Sequence, residues 1–176
     1  LLHRRGRPDE ALAAFSRALT LDPAMRLARR NRAVAADEAT SARREGELRR
    51  RVRLDGADAD ARRELARLLS ALGRHDEARA ELDAVVALRP DDVGVLVERA
   101  RVEQAAGAPE AAVATLERAR ALMPNGATVH ALLAEATYQA GDPVGALAHV
   151  EEALRLTPTD PHAQLLHGFL LGELGR

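Results

Sequence analysis

Small and hydrophobic residues recur along the chain at spacings of four and three, which is the period of one helical face. Between Gly6 and Met25, Ala11, Phe15 and Ala18 form such a stripe among polar residues. No stretch shows the sustained alternation of apolar and polar residues that a β-strand needs. The pattern therefore predicts an all-α fold built from short amphipathic helices.

Glycine and proline divide these helices at a fixed interval. Gly73, Gly107 and Gly141 lie 34 residues apart, and Gly175 continues the series. The same interval separates the members of two further series, which are Ala78, Ala112 and Ala146, and Pro90, Pro124 and Pro158. Glycine suits the left-handed residue after a helix, whereas proline cannot continue one. The interval indicates a repeat array in which each helical hairpin buries its apolar face against its neighbours.

Four segments share one pattern, in which a small residue is followed four positions later by a larger apolar residue and then by proline. The paired positions are Ala11/Phe15, Ala78/Leu82, Ala112/Leu116 and Ala146/Val150. These segments resemble the second helix of the tetratricopeptide repeat, which has an Ala-x3-Phe then Pro pattern and a length of 34 residues. The resemblance implies a right-handed α-solenoid of antiparallel helix-turn-helix repeats.

The resemblance also implies a division of residues 1–176, taken as a single array. It gives a partial repeat 1–25, a degenerate Arg-rich repeat 26–58, repeats 59–92, 93–126 and 127–160, and an unpaired first helix 161–176. Residues 1–6 are expected to end a first helix. Both ends of the chain fall at the same phase of the repeat, so we expect a window of a longer array.

Two parts of the array depart from the pattern. The segment from Arg26 to Arg53 carries ten Arg against four acidic residues, and Ala39 or Thr40 holds the glycine position. We interpret it as a degenerate helical hairpin, with a partly frayed linker as the alternative. In repeat 93–126, two positions of the first helix that are normally apolar hold Arg99 and Glu103. We therefore expect that helix to pack less tightly.

The composition narrows the functional classes. Hydrophobic residues make up 47% of the chain but aromatic residues only 2%, so Ala, Leu and Val must build the core. All 26 basic residues are Arg. Codon bias in a GC-rich bacterial genome is our interpretation, and selection for carboxylate or phosphate recognition is the alternative. A net charge of −1 gives no bias toward nucleic acid or membranes, and the absence of Cys excludes disulfides and thiolate chemistry.

No motif for catalysis or cofactor binding is present in the sequence. The six His residues are scattered and form no zinc-protease pair, and no phosphate-binding glycine loop or nucleophile elbow occurs. Apolar runs are far shorter than the roughly 20 residues of a membrane span. We therefore predict no enzymatic activity, no cofactor, no metal and no membrane insertion, and we expect a cytoplasmic protein.

The resemblance implies that first helices line a concave groove. The inferred peptide-binding residues are Arg30, Arg63, Arg67, Val97, Arg101, Gln104, Tyr138, Leu165 and Phe169. We expect a protein or peptide with acidic residues near Arg63, Arg67 and Arg101 and an apolar anchor near Tyr138; solvated arginines without a ligand are the alternative. The clamp by which co-chaperones of this family hold a terminal carboxylate is not expected, because Glu98 stands where the family has Asn.

The predicted function is a scaffold for protein–protein interactions. The alternative is a docking or regulatory arm of an enzyme, such as a glycosyltransferase or sulfotransferase, whose catalytic domain lies outside this chain. Self-association is the third candidate, since the unpaired last helix carries Leu165, Phe169 and Leu170, which we expect to be exposed. Nucleic-acid binding is disfavoured, because no aromatic residues are interleaved with the arginines.

Overall fold

A computed structural model of the chain describes residues 7–175, which form nine helices and no strand. The helices are α1 (Pro8–Leu21), α2 (Arg26–Leu54), α3 (Ala59–Ala71), α4 (His75–Leu88), α5 (Val93–Ala105), α6 (Pro109–Leu122), α7 (Ala127–Gln139), α8 (Pro143–Leu156) and α9 (Pro161–Glu173). The predicted class, an all-α solenoid of helix-turn-helix repeats, is confirmed. The helix end predicted at residues 1–6 lies outside the described residues.

The chain divides into two compact units, Leu1–Gly56 and Ala57–Arg176. The prediction of one array made no such division. Helices α3 to α8 lie within the predicted repeats 59–92, 93–126 and 127–160, two helices to each, and α9 follows them. The boundaries of these repeats stay a prediction.

In the first unit, α2 is one continuous helix of 29 residues. The hairpin predicted for this segment is therefore wrong, and so is the frayed linker. Neither residue at the expected break interrupts a helix: alanine is the strongest helix former, and the hydroxyl of Thr40 donates to the carbonyl oxygen of Ala36 at 2.8 Å. Small buried residues of α2, among them Ala28, Ala35 and Ala39, form one stripe in the unit that also contains α1.

In the second unit, glycine ends each first helix in the left-handed region of the backbone. Gly73, Gly107 and Gly141 have φ values of 75°, 74° and 88°. At the end of α5, the backbone N–H of Gly107 donates to the carbonyl oxygen of Gln104, and that of Ala108 donates to the carbonyl oxygen of Glu103, both at 2.9 Å. This pair of bonds is the Schellman motif, which satisfies carbonyl groups that the helix leaves open. It turns the chain directly into the next helix.

Aspartate side chains cap the N-termini of several helices of the second unit. Those of Asp58, Asp92 and Asp160 accept hydrogen bonds from backbone N–H groups in the first turns of α3, α5 and α9. Asp142 does the same for α8. Because each cap fixes where its helix starts, the caps also fix the rotational position of the side chains that follow.

The core of the second unit is made of small and aliphatic side chains. The predicted pairs Ala78/Leu82, Ala112/Leu116 and Ala146/Val150 are fully buried. One core cluster joins α5, α6 and α7 through residues such as Leu96, Leu116 and Leu133, and another joins α7, α8 and α9. Alanine at the crossing points lets helix axes approach closely, which compensates for the scarcity of aromatic residues.

Charged residues enter the packing at α5. The side chain of Glu103 is only 2% exposed, and Arg99 Nε lies 3.2 Å from its Oε1. The same Nε lies 2.8 Å from Asp83 Oδ1 on α4. The other oxygen of Glu103, Oε2, has no hydrogen-bond partner in the described part of the chain. Ion pairs thus take the place of the apolar contacts that Leu65 and Leu133 supply at the position of Arg99.

Candidate ligand-binding face

The first helices of the second unit carry eight of the nine predicted groove residues. They are Arg63 and Arg67 on α3, Val97, Arg101 and Gln104 on α5, Tyr138 on α7, and Leu165 and Phe169 on α9. Four positions spaced by one repeat are occupied by Arg67, Arg101, Glu135 and Phe169. We call the exposed and half-exposed surface formed by Arg63, Arg67, Glu98, Arg101, Gln104, Glu135, Tyr138, Leu165 and Phe169 the first-helix face. Arg30 is exposed on α2, in the other unit, and its part in a groove stays a prediction.

Two of the predicted arginines are already bonded to a carboxylate of the protein. Arg63 Nη2 lies 2.6 Å from Glu98 Oε1, and Arg63 Nε lies 3.3 Å from Glu98 Oε2. Arg67 Nη2 lies 2.5 Å from Glu98 Oε1. Glu98 belongs to α5 and both arginines to α3, so the contact joins neighbouring first helices. We call these three residues the Arg–Glu cluster.

The three members of the Arg–Glu cluster stabilise one another's charges. Burial of the Glu98 carboxylate opposes its ionisation, but the hydrogen bonds from Arg63 and Arg67 outweigh this effect and lower the pKa of Glu98. The bond to Glu98 in turn raises the pKa of Arg63. Around neutral pH the cluster therefore consists of two cations and one anion, with the anion in contact with both cations.

Arg101 differs from the other two arginines. Its side chain is exposed, and among residues 7–175 no carboxylate forms an ion pair with it. It borders a groove of about 590 Å³ whose walls are mostly apolar, lined by Arg67, Ser70, Ala71, His75, Leu82, Glu98, Arg101, Val102 and Ala105. Arg101 is thus the predicted acidic-ligand residue that is left with its charge unmatched.

Aromatic and aliphatic side chains lie at the other end of the first-helix face. The rings of Tyr138 and Phe169 meet edge to face with centroids 5.4 Å apart. Partial desolvation and the neighbouring Glu173 carboxylate raise the pKa of Tyr138. Leu165 is 73% and Phe169 52% exposed. The structure thus places three predicted apolar residues on neighbouring helices, with two of them in contact.

One sequence-based expectation is wrong here, and two predicted groove residues, Val97 and Gln104, make contacts within the protein. Leu170 was expected to be exposed on the last helix, but it is fully buried in the core cluster of α7, α8 and α9, so that expectation is wrong. Val97 is half-buried against the core cluster of α5 to α7, and it offers little surface to a ligand. The amide of Gln104 donates to Gln139 Oε1 at 3.3 Å, which joins α5 to α7.

Histidines occupy two kinds of surroundings. His162 Nε2 bonds to Glu135 Oε1 across α9 and α7, and this bond raises the pKa of His162. His149 is half-buried, its ring centroid lies 6.2 Å from that of His130, and burial lowers its pKa. Within the described residues no group of three or more His, Asp or Glu side chains is placed to hold a metal ion.

The sequence analysis did not assign Glu98 a bonded role, nor did it find the second-helix residues of the groove, His75 and Leu82. A signal for Glu98 exists: it lies 35 residues after Arg63, which is one repeat plus one position. At that separation two residues lie close together on adjacent first helices. Opposite charges at this spacing would have predicted the pair.

Comparison with known families decides the classification. Models described as the tetratricopeptide repeat match residues 48–98 and 103–170, and also residues 1–48. The chain belongs to the tetratricopeptide repeat family. Membership places it among the repeat proteins that act as scaffolds for protein interactions. A search of curated proteins finds no match.

Several solved structures are similar to this chain in fold. A crystal structure of MamA matches with a TM-score of 0.69 and 18% identity, covering 79% of this chain and 83% of that one. YrrB, described as a TPR protein with an unusual peptide-binding site, matches at 0.66 and 17%, covering 94% and 86%. The first TPR of Spaghetti (RPAP3), bound to the HSP90 peptide SRMEEVD, matches at 0.64 and 18%, covering 69% and 97%.

These solved structures share the all-α repeat fold with this chain. In the described part of the chain no helix combines the length and the apolar character needed to cross a membrane. That the chain has no enzymatic activity and no cofactor stays a prediction.

Proposed function

We propose that the second unit binds a peptide along the first-helix face, with a ligand carboxylate at Arg101 and an apolar ligand side chain at Tyr138 and Phe169. The observation that carries the proposal is the unmatched charge of Arg101 beside a largely apolar groove. Two of the similar structures are of proteins described with a peptide or a peptide-binding site, which supports a peptide as the ligand class.

The first-helix face suits a ligand that is polar at one end and apolar at the other. Arg101 is followed one repeat later by Glu135, whose charge is engaged by His162, and another repeat later by Phe169. A bond between a guanidinium and a carboxylate is roughly twice as strong as a neutral hydrogen bond, and apolar walls strengthen it further. The order of side chains along the face would also orient the peptide.

The proposal narrows the ligand expected from the sequence. Three arginines were expected to contact acidic residues, but Arg63 and Arg67 are bonded to Glu98. Arg101 is the one of the three that has no carboxylate partner among the described residues. One acidic residue at this position, rather than a run of them, is the recognition element that we propose.

The test measures peptide affinity of single variants by fluorescence anisotropy. The probes are fluorescein-labelled EEELAFL and its neutral counterpart QQQLAFL. Arg101→Ala should weaken binding of EEELAFL by about tenfold and leave binding of QQQLAFL unchanged, because about 1.5 kcal/mol is typical for a hydrogen bond to a charged group. Arg155→Ala removes an exposed arginine of α8 and is the matched control.

Equal affinity of wild type and Arg101→Ala for EEELAFL would contradict the proposal. Phe169→Ala provides the second arm, since loss of the aromatic anchor should weaken both peptides equally. Sedimentation of the free protein at the working concentration distinguishes peptide binding from self-association through Leu165 and Phe169, whose exposure favours that second candidate. A monomer at high concentration would contradict self-association.

A further inference from the structure

The Arg–Glu cluster has the composition of an occupied carboxylate site. Arg63 meets both oxygens of Glu98, at 2.6 and 3.3 Å, and Arg67 adds a further bond at 2.5 Å. Two-point contact between a guanidinium and a carboxylate is the geometry by which arginine recognises external carboxylates. Here the carboxylate comes from the next repeat of the same chain.

The cluster lies within the first-helix face rather than apart from it. Arg67 and Glu98 both line the groove that Arg101 borders. Arg67 is 61% exposed, whereas the side chains of Arg63 and Glu98 are 23% and 20% exposed. A ligand carboxylate at Arg101 would therefore approach a surface on which both neighbouring arginines are present but already bonded to Glu98.

Glu98 is the carboxylate that holds Arg63. The charges of Asp60 and Asp92 also raise the pKa of Arg63, but among the described residues only Glu98 is hydrogen-bonded to its guanidinium. Because both arginines together outweigh the cost of burying Glu98, the carboxylate stays ionised and bonded. An incoming carboxylate must therefore displace Glu98 before it can bond to Arg63.

We propose that Glu98 is a specificity-determining residue, an internal carboxylate that occupies the Arg63–Arg67 site and restricts external acidic groups to Arg101. One consequence of this role is that the first-helix face discriminates against polyacidic ligands, and that consequence rests on the proposed function. The occupation of Arg63 and Arg67 by Glu98 is tested in a separate experiment.

The first experiment measures affinity for EEELAFL in Glu98→Gln, which keeps the size of the side chain and removes its charge. We expect binding about fivefold tighter than wild type, the effect of one partly exposed ion pair. Glu81→Gln is the matched control, because Glu81 of α4 bonds at 2.6 Å to Arg62, which lies on α3 as Arg63 does, and the pair has similar exposure. That control should bind as wild type does.

The triple variant Arg63→Ala/Arg67→Ala/Glu98→Gln should lose the gain and return to the wild-type affinity. If Glu98→Gln binds EEELAFL no more tightly than wild type does, or if Glu81→Gln gains as much, the specificity role is overturned. Circular dichroism of each variant confirms that the helices are retained.

The second experiment does not depend on peptide binding. Succinate is titrated at constant ionic strength while the Nε–Hε signals of arginine are followed by NMR. In wild type, the signal of Arg101 should shift and that of Arg63 should not; in Glu98→Gln both should shift. An equal response of Arg63 and Arg101 in wild type would overturn the inference, even where EEELAFL binds. Failure of EEELAFL to bind either protein would contradict the proposed function, and the succinate result would still decide the inference.

Discussion

At the scale of single residues, the charged pair on α5 shows what it costs to place ions where the repeat normally has apolar side chains. Glu103 is 2% exposed and its charge is compensated mainly by Arg99, which Asp83 also contacts. Buried pairs seldom stabilise a fold more than apolar residues of similar volume would, but breaking one leaves an uncompensated buried charge. The main effect of Arg99 is therefore to compensate the buried charge of Glu103, and the pair as a whole adds little to the free energy of unfolding.

We predict that Arg99→Ala lowers the free energy of unfolding by about 2 kcal/mol, less than the ~3–5 kcal/mol typical of a fully buried pair because Arg99 remains partly exposed. The double variant Arg99→Leu/Glu103→Leu, which copies Leu65 and Leu69 of the preceding repeat, should recover that loss. Urea unfolding followed by circular dichroism measures both. Arg120→Ala, at an exposed pair of α6, is the control and should change stability little. A double variant as unstable as Arg99→Ala would contradict this account.

Two histidines should titrate on opposite sides of the ordinary value. Glu135 raises the pKa of His162, so His162 adds stability below the ordinary histidine pKa, and this stability is lost as pH rises through the raised pKa. Burial lowers the pKa of His149, so stability falls as pH drops from the ordinary value through the lowered one. NMR titration of the imidazole signals measures both values.

Glu135→Gln should bring the pKa of His162 down toward the ordinary value and leave that of His149 unchanged. A His162 pKa that does not respond to Glu135→Gln would show that the bond between α9 and α7 does not persist in solution.

At the scale of helices, the sequence predicted those elements whose ends depend on local backbone chemistry. The glycine series ends first helices and the proline series follows second helices, so the helices of the second unit could be predicted from residue types alone. The prediction failed at α2, where the expected break held Ala39 or Thr40. A repeat pattern implies a break there, but neither residue disfavours helix, and helix propensity prevailed over the repeat register.

A pair of glycine substitutions tests how far the left-handed turn defines the hairpin. Gly107→Ala should destabilise the protein by about 1 kcal/mol, since an L-residue is strained at a φ of 74° even though the space beside it is open. Gly168→Ala is the matched case within α9, where a Cβ meets nothing and helix propensity improves by about 0.5–1 kcal/mol. Thermal unfolding of both variants should give shifts of opposite sign. Shifts of the same sign would contradict a special role for the left-handed turn.

At the scale of the whole molecule, the core clusters of α5 to α9 are formed entirely within residues 57–176. Repeat proteins gain stability from contacts between neighbouring units, so several stacked repeats can fold without the rest of a chain. A fragment of residues 57–176 should therefore show cooperative urea unfolding and the helical circular dichroism of its seven helices. A fragment that is unfolded in water would contradict this expectation.

The candidate site was less predictable than the fold for a related reason. The positions of the first-helix face follow from the repeat, so Arg63, Arg101 and Phe169 could be placed on it from the sequence. Which charges remain available depends on side-chain contacts between repeats, and Glu98 decides that for two arginines. Contacts of this kind depend on rotamers and helix rotation, which periodicity alone does not determine.

The edge-to-face contact of Tyr138 with Phe169 makes the intrinsic tyrosine fluorescence sensitive to ligand binding at these two rings. Tyr138 is the single tyrosine of the chain, and the sequence contains no tryptophan, so intrinsic ultraviolet emission comes from the first-helix face itself. The Glu173 carboxylate acts on its hydroxyl and raises its pKa, and a change in the surroundings of the phenol alters tyrosine emission. A ligand that inserts between the two rings would therefore change the fluorescence of unlabelled protein, whereas one that binds elsewhere would leave it unchanged.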